Sequence, residues 1–260
     1  MQPEQTPTPP TNPSESQSGA QAQPQKPKEH QESLLANLLL NIVIPTLVLT
    51  KGSKEAYLGP TLGLLVALAF PLGYGLYHYW RSRKINLFSA IGLVSVLLTG
   101  GISLLKLPPE YMAIKEAAIP GLLGLATLIS IYTPYPLVRT FLYNDKVMDV
   151  AKVHDALEKY GNVEAFEKSL ANATYMLAGS FFLSSVLNYA LAKWVLVSPP
   201  GTEQYNAELG TMTALSFPVI TIPSMAVFMA AVFYLFRSIT RLTHLHWEDI
   251  LVHPERESER

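Results

Sequence analysis

The sequence predicts an all-α fold, a polytopic transmembrane helical bundle of six helices with one short cytoplasmic amphipathic helix. Three observations predict it. Six apolar runs approach or reach the roughly 20 residues that a helix needs to cross a hydrocarbon core of about 30 Å. Lysine and arginine fall mainly into alternate loops between those runs. Apolar residues make up 49% of the chain and charged residues 15%, against about 25% charged in an average soluble domain.

Residues 1–33 are rich in Pro, Gln, Ser and Thr and nearly free of large apolar side chains. Such a segment cannot bury enough surface to offset the entropy of ordering, so a disordered tail is expected. No short apolar stretch follows a basic start, so the tail does not resemble a cleaved signal peptide. The first apolar run is read instead as an uncleaved signal anchor.

The transmembrane domain is expected over residues 34–240, with spans at about 34–50, 57–79, 85–106, 111–131, 171–197 and 212–236. In lipid each span must satisfy its own backbone hydrogen bonds, which helices do and open strands do not. The runs are continuous rather than alternating, which excludes a β-barrel.

With six spans, both termini and the loops after the second and fourth spans share one side. That side carries fourteen of the nineteen Lys and Arg residues; Lys51, Lys54, Lys106, Lys115 and Lys193 make up the other five. The bias puts both termini in the cytoplasm. Arg81, Arg83, Lys84, Arg237 and Arg241 carry most of the weight, because they stand close to span ends.

The loop 133–170 is the one sizeable soluble element. Val147, Val150, Ala151, His154 and Leu157 recur at roughly helical spacing and Gly161 supplies a stop, which predicts a short amphipathic helix. From Asp145 to Lys168 the loop has four basic and six acidic residues, so docking on protein is favoured over anionic lipid. Residues 241–260 are expected to form a cytoplasmic tail.

Polar residues within the spans are the candidate functional positions, because each is costly in lipid unless paired. Lys115 and Glu116 lie about one turn inside the fourth span. They form either a charge pair or proton-handling site facing the bundle, with Lys106 nearby, or a snorkelling lysine beside a hydrated glutamate. Asn37 and Asn41 share a face of the first span and Asn188 lies deep in the fifth; interhelical hydrogen bonds and solute binding are the two readings. Prolines 45, 71, 120, 218 and 223 bend or break their helices.

Gly59 and Gly63 are spaced GxxxG, and Ala117 and Gly121 repeat a small-xxx-small spacing. Such pairs allow close helix approach, within the chain or between copies in an oligomer. Trp80, Trp194, Trp247, Tyr57, Tyr77, Tyr79 and Tyr111 stand near span ends as interfacial anchors. His246, Asp249 and His253 would share a face if that segment were helical, a weak metal-site candidate beside His244.

The chain has no cysteine, which removes disulfides and thiolate chemistry. Its net charge of −1 and lack of a basic cluster argue against nucleic-acid binding. No Walker A, GxGxxG, GxSxG or HExxH pattern occurs, so the chain is read as non-enzymatic and free of cofactors.

The stretches Asn41-Ile-Val-Ile-Pro45-Thr, Ala67-Leu-Ala-Phe-Pro-Leu-Gly-Tyr-Gly75, Leu93-Val-Ser-Val-Leu-Leu-Thr-Gly-Gly101, Ile114-Lys115-Glu116-Ala-Ala-Ile-Pro120 and Leu187-Asn188-Tyr-Ala-Leu-Ala resemble an uncharacterised family of bacterial multi-pass proteins similar to intracellular septation protein A. The resemblance spans about residues 34–240. It implies a protein located in the cell (inner) membrane, associated with cell-envelope maintenance or division and acting through protein contacts, and it supplies no catalytic residues. The polar residues of the first, fourth and fifth spans give small-solute or ion transport as the alternative.

Overall fold

A bilayer core takes roughly 20 helical residues to cross, and that requirement sorts the helices of this chain into two groups. The computed structural model describes residues 39–82, 87–133, 136–145 and 147–251. The predicted N-terminal tail 1–33, Asn37, His253 and the end of the C-terminal tail lie outside the described residues.

Four helices are long and apolar enough to cross a membrane. They are α2 (Gly59–Ser82), α4 (Pro109–Ser130), α7 (Val163–Val195) and α8 (Glu203–Thr243). Two more apolar helices, where the first and third spans are expected, are shorter as described: α1 (39–52) and α3 (Leu87–Leu104). Among the described residues there is no β-strand, only a single bridge between Met148 and Leu251.

The long helices leave large apolar side chains uncovered. Leu62, Leu76, Ile114, Leu122, Ile129, Val186 and Phe217 are each more than half exposed. A water-soluble bundle would bury such side chains, whereas lipid-facing helices present them outward.

The prolines are absorbed rather than breaking the helices. Pro71 and Pro120 lie inside α2 and α4. Pro45 sits between two π-helical turns, Leu39–Val43 and Val48–Gly52, and Pro218 lies within a third, Phe217–Thr221. A π turn widens the spiral, making room for a ring that would otherwise strike the preceding turn. Thus α8 continues through Pro218 and Pro223 for 41 residues.

Helix α7, of 33 residues, is about 50 Å long and organises the bundle. α4 and the Ile222–Thr243 part of α8 make the most extensive packing against it. Against α4, small residues set the spacing: a Cβ on Gly121 would lie 3.1 Å from Ser185 Oγ, and one on Gly124 would lie 3.2 Å from Phe182. Ser185 donates to the Ala117 carbonyl at 2.8 Å, tying the two backbones together.

Because α7 outlasts the membrane thickness, its first turns belong to a separate structure. Val163–Leu170, expected in the loop, are helical and pack with α5 (Leu137–Leu142), α6 (Val150–Lys159) and α9 (Trp247–Ile250) into a cap at one end of the bundle. Residues 244–251, expected in the C-terminal tail, fold back into this cap, where Ile250 is fully buried. A second apolar cluster, including Leu49, Ala67, Met112, Leu191, Tyr205 and Met212, forms at the other end of α7.

Candidate functional site

The polar residues of the spans sort by what their neighbours offer. Lys115, one and a half turns into α4, is 8% exposed. Its Nζ donates to Glu116 Oε1 at 2.6 Å and across to Thr99 Oγ1 on α3 at 2.8 Å. The ammonium is turned to a neighbouring helix, so the snorkelling geometry is not adopted. Thr99 in turn donates to the Ser95 carbonyl at 3.0 Å, completing a short chain of hydrogen bonds. The Glu116 side chain, 24% exposed, balances the charge. A buried charge is tolerated only with such a partner and with its donors satisfied.

One helical turn beyond Thr99, the Ser103 hydroxyl lies close to that of Tyr205 on α8. Both are buried, and neither is aligned for a hydrogen bond. Tyr205 and the adjoining Asn206 did not stand out in the sequence, because the interface they face is visible only once α8 packs on α1 and α2. Asn206 Nδ2 donates to Ser53 Oγ at 3.1 Å and to the Pro60 carbonyl at 2.7 Å, pinning the α1–α2 turn to α8. Glu208 accepts from the Val197 and Ser198 amides and the Ser198 hydroxyl, fixing the turn between α7 and α8.

The other candidates are dispersed. Asn188 donates to the Ser184 carbonyl at 2.8 Å, within its own helix. Asn41 lies in the first π turn of α1, and its side chain falls outside the described residues. Lys106 packs its chain against Gly201 rather than approaching Lys115. Gly63 meets Ser53 of the same chain, where a Cβ would come within 2.7 Å of the Ser53 Cα; Gly59 has open space around it.

The cap corrects one expectation. The face of α6 turned to the core carries Val150, Val153 and Leu157, while Ala151 and His154 are exposed. His154 pairs with Glu158 at 3.2 Å. Val147, Val150 and Leu157 pack on the core as expected; the stripe differs in taking Val153 in place of Ala151 and His154, in a helix whose first turn Asp149 caps by accepting from the Lys152 amide. Gly161, at φ +67°, then supplies the left-handed residue that ends the helix.

The metal candidate His246, Asp249 and His253 is described only in part, because His253 lies outside the described residues. His246 caps α9, and the Asp249 amide donates to its carbonyl at 3.0 Å. Lys152 holds Asp249 at 2.6 Å, and this hydrogen bond and charge keep its carboxyl below the usual carboxylate range. Among the described residues no cluster of three or more metal-ligating side chains forms. Trp247, expected as an interfacial anchor, stacks on Phe236 at 5.4 Å.

The cap is otherwise built like the interior of a soluble domain. Tyr143 packs on Phe166 at 4.9 Å, and burial raises its phenol pKa. Asn162 donates to the Leu242 carbonyl at 2.8 Å and the Asp149 amide to that of Ile250 at 2.9 Å, so all three chain segments are joined by hydrogen bonds. Its ion pairs, Arg139–Glu167 and Lys152–Asp249, lie outside this core.

Fold and site together describe an all-helical protein with four helices of membrane-crossing length, a folded cap at one end and a buried ion pair towards the other. Comparison with family models, curated proteins and solved structures finds no match.

Proposed function

We propose that the chain is a non-enzymatic integral membrane protein that acts through protein contacts made by its cap. Six helices embed in the membrane, α1 and α3 alongside the four long ones, with both termini and the cap in the cytoplasm of a cell with this inner membrane. The asymmetry of Lys and Arg between alternate connections supports that orientation. A role in envelope maintenance or division follows the resemblance to the septation-protein relatives.

The observation that carries the reading is the cap itself. Eight buried apolar residues of the cap, from Val138 to Ile250, pack with six more from the rest of α7 and α8 into one core, and its outer surface presents mixed charges. A photo-crosslinker at exposed Asp155 should trap a division or wall-synthesis protein in cells, and the adduct should vanish when the cap core is disrupted by Phe166→Ala. Adducts of equal yield from the disrupted cap would sink the reading.

A second reading, small-solute or ion transport, is favoured by one observation: buried Lys115 with the unaligned hydroxyls of Ser103 and Tyr205 nearby. Flux in proteoliposomes that is lost in Lys115→Ala/Glu116→Ala would move transport ahead of scaffolding.

A further inference from the structure

Along the second half of α8, one stripe of side chains has little protein over it. Ile222, Met225, Met229 and Phe233 are each more than half exposed, and their spacing of three and four residues puts them on one helical face. A stripe of this kind faces acyl chains. One turn further the same face carries Arg237, and one turn beyond that Arg241, both exposed. The two guanidinium groups therefore stand where acyl chains give way to headgroups.

These arginines differ from the other basic residues near them. Arg139, Lys152 and Lys168 each have an acidic partner within 3 Å. Neither Arg237 nor Arg241 has an ion-pair partner among the described residues. Of the acids in the adjoining turn, Asp249 is held by Lys152 and Glu248 makes an interaction of its own.

An aromatic shelf borders the pair. Trp247 lies nearly parallel to Phe236, at 7°, and stacks on Phe233 at 6.2 Å. Its indole is left 43% exposed beside the stripe. Indole rings favour headgroup depth, and the guanidinium fork matches the oxygens of a phosphate.

We propose that Arg237 and Arg241, flanked by Trp247, bind the phosphate of an anionic phospholipid headgroup. The site goes beyond the protein-contact reading and rests only on its claim that the chain is embedded in a membrane. Bound there, the lipid offsets part of the repulsion between two adjacent positive charges and fastens the cap to the bilayer at the point where α8 leaves it.

The full chain reconstituted in phosphatidylcholine nanodiscs, with or without a minority of phosphatidylglycerol, tests this. Phosphatidylglycerol should raise the unfolding temperature by about 4 °C, and high salt should shrink the rise. R237Q/R241Q should lose it, while R139Q, on the cap, should keep it. The single variants R237Q and R241Q should each halve the rise, which keeps the test decisive if the double variant does not fold. An equal rise in every variant, or none in the unsubstituted chain, overturns the site while leaving membrane embedding intact. A chain that cannot be reconstituted, and that alkaline carbonate strips from membranes, overturns both.

Discussion

The two ends of α7 both bury an apolar cluster and differ in where their charges lie. At the cap, apolar side chains fill the interior and the ion pairs Arg139–Glu167 and Lys152–Asp249 lie outside. At the other end Lys115, Asn206 and Ser103 are buried, and hydrogen bonds to neighbouring helices take over part of the work of packing. The difference is the one expected if the solvent changes from water to lipid between the two ends. Water supplies the hydrophobic drive for the cap core, whereas helices in lipid gain little from burying one more leucine and rely on close fit and polar partners.

The largest effect should come from the cap core. Phe166→Ala removes a side chain that is 2% exposed and should cost about 3–5 kcal/mol. Limited proteolysis should then cut between residues 143 and 162 while α4 and α8 stay intact; cleavage throughout the bundle would mean that the ends are not separable.

At the other end, Glu116→Leu leaves the Lys115 ammonium buried with Thr99 as its only remaining partner. For a fully buried pair the loss is about 3–5 kcal/mol; with the Glu116 side chain 24% exposed, we expect about 2 kcal/mol after discounting for screening. Lys115→Met/Glu116→Leu should recover most of it in thermal unfolding. No recovery would mean that the pair is not coupled.

Asn206→Leu should cost about 1–3 kcal/mol, because the Ser53 hydroxyl and the Pro60 carbonyl each lose a donor. Gly63→Ala at the same contact sharpens the point: its Cβ would meet Ser53 backbone at 2.7 Å, so the α1–α2 turn must shift. Added crosslinking between α1 and α8 would read that shift directly.

The smallest effect is electrostatic. The pKa of Asp249 is lowered in the folded chain by Lys152, so its contribution is present above the unfolded value of about 3.9. It is lost as pH falls through the lower folded value, because the protonated acid no longer attracts the ammonium. Protease sensitivity of residues 244–251 should rise in that acid window, and Asp249→Asn should remove the pH dependence.

Much of this contrast was legible in the sequence, and the limits of legibility are physical. Continuous apolar runs announced helices because a helix satisfies its backbone within its own segment in lipid, whereas a barrel strand would alternate. Lys115 and Glu116 announced themselves because charge is rare there. Asn206 and Tyr205 did not, since α8 begins nine residues before the span at Met212 and its polar first turns read as a loop. Three of the five residues expected on the buried face of α6 pack there, while Val153 takes the place of Ala151 and His154, a detail set by where Asp149 caps the helix, which periodicity does not encode.

The central claim is that the cap and the Lys115 end lie on opposite sides of a membrane. The chain has no cysteine of its own, so single cysteines placed at Asp155 and at Glu203 can be labelled without background by a membrane-impermeant maleimide. In sealed vesicles of one orientation the account predicts that only one of the two is labelled from outside, with the pattern reversed in inverted vesicles. Labelling of both positions from the same face would contradict it.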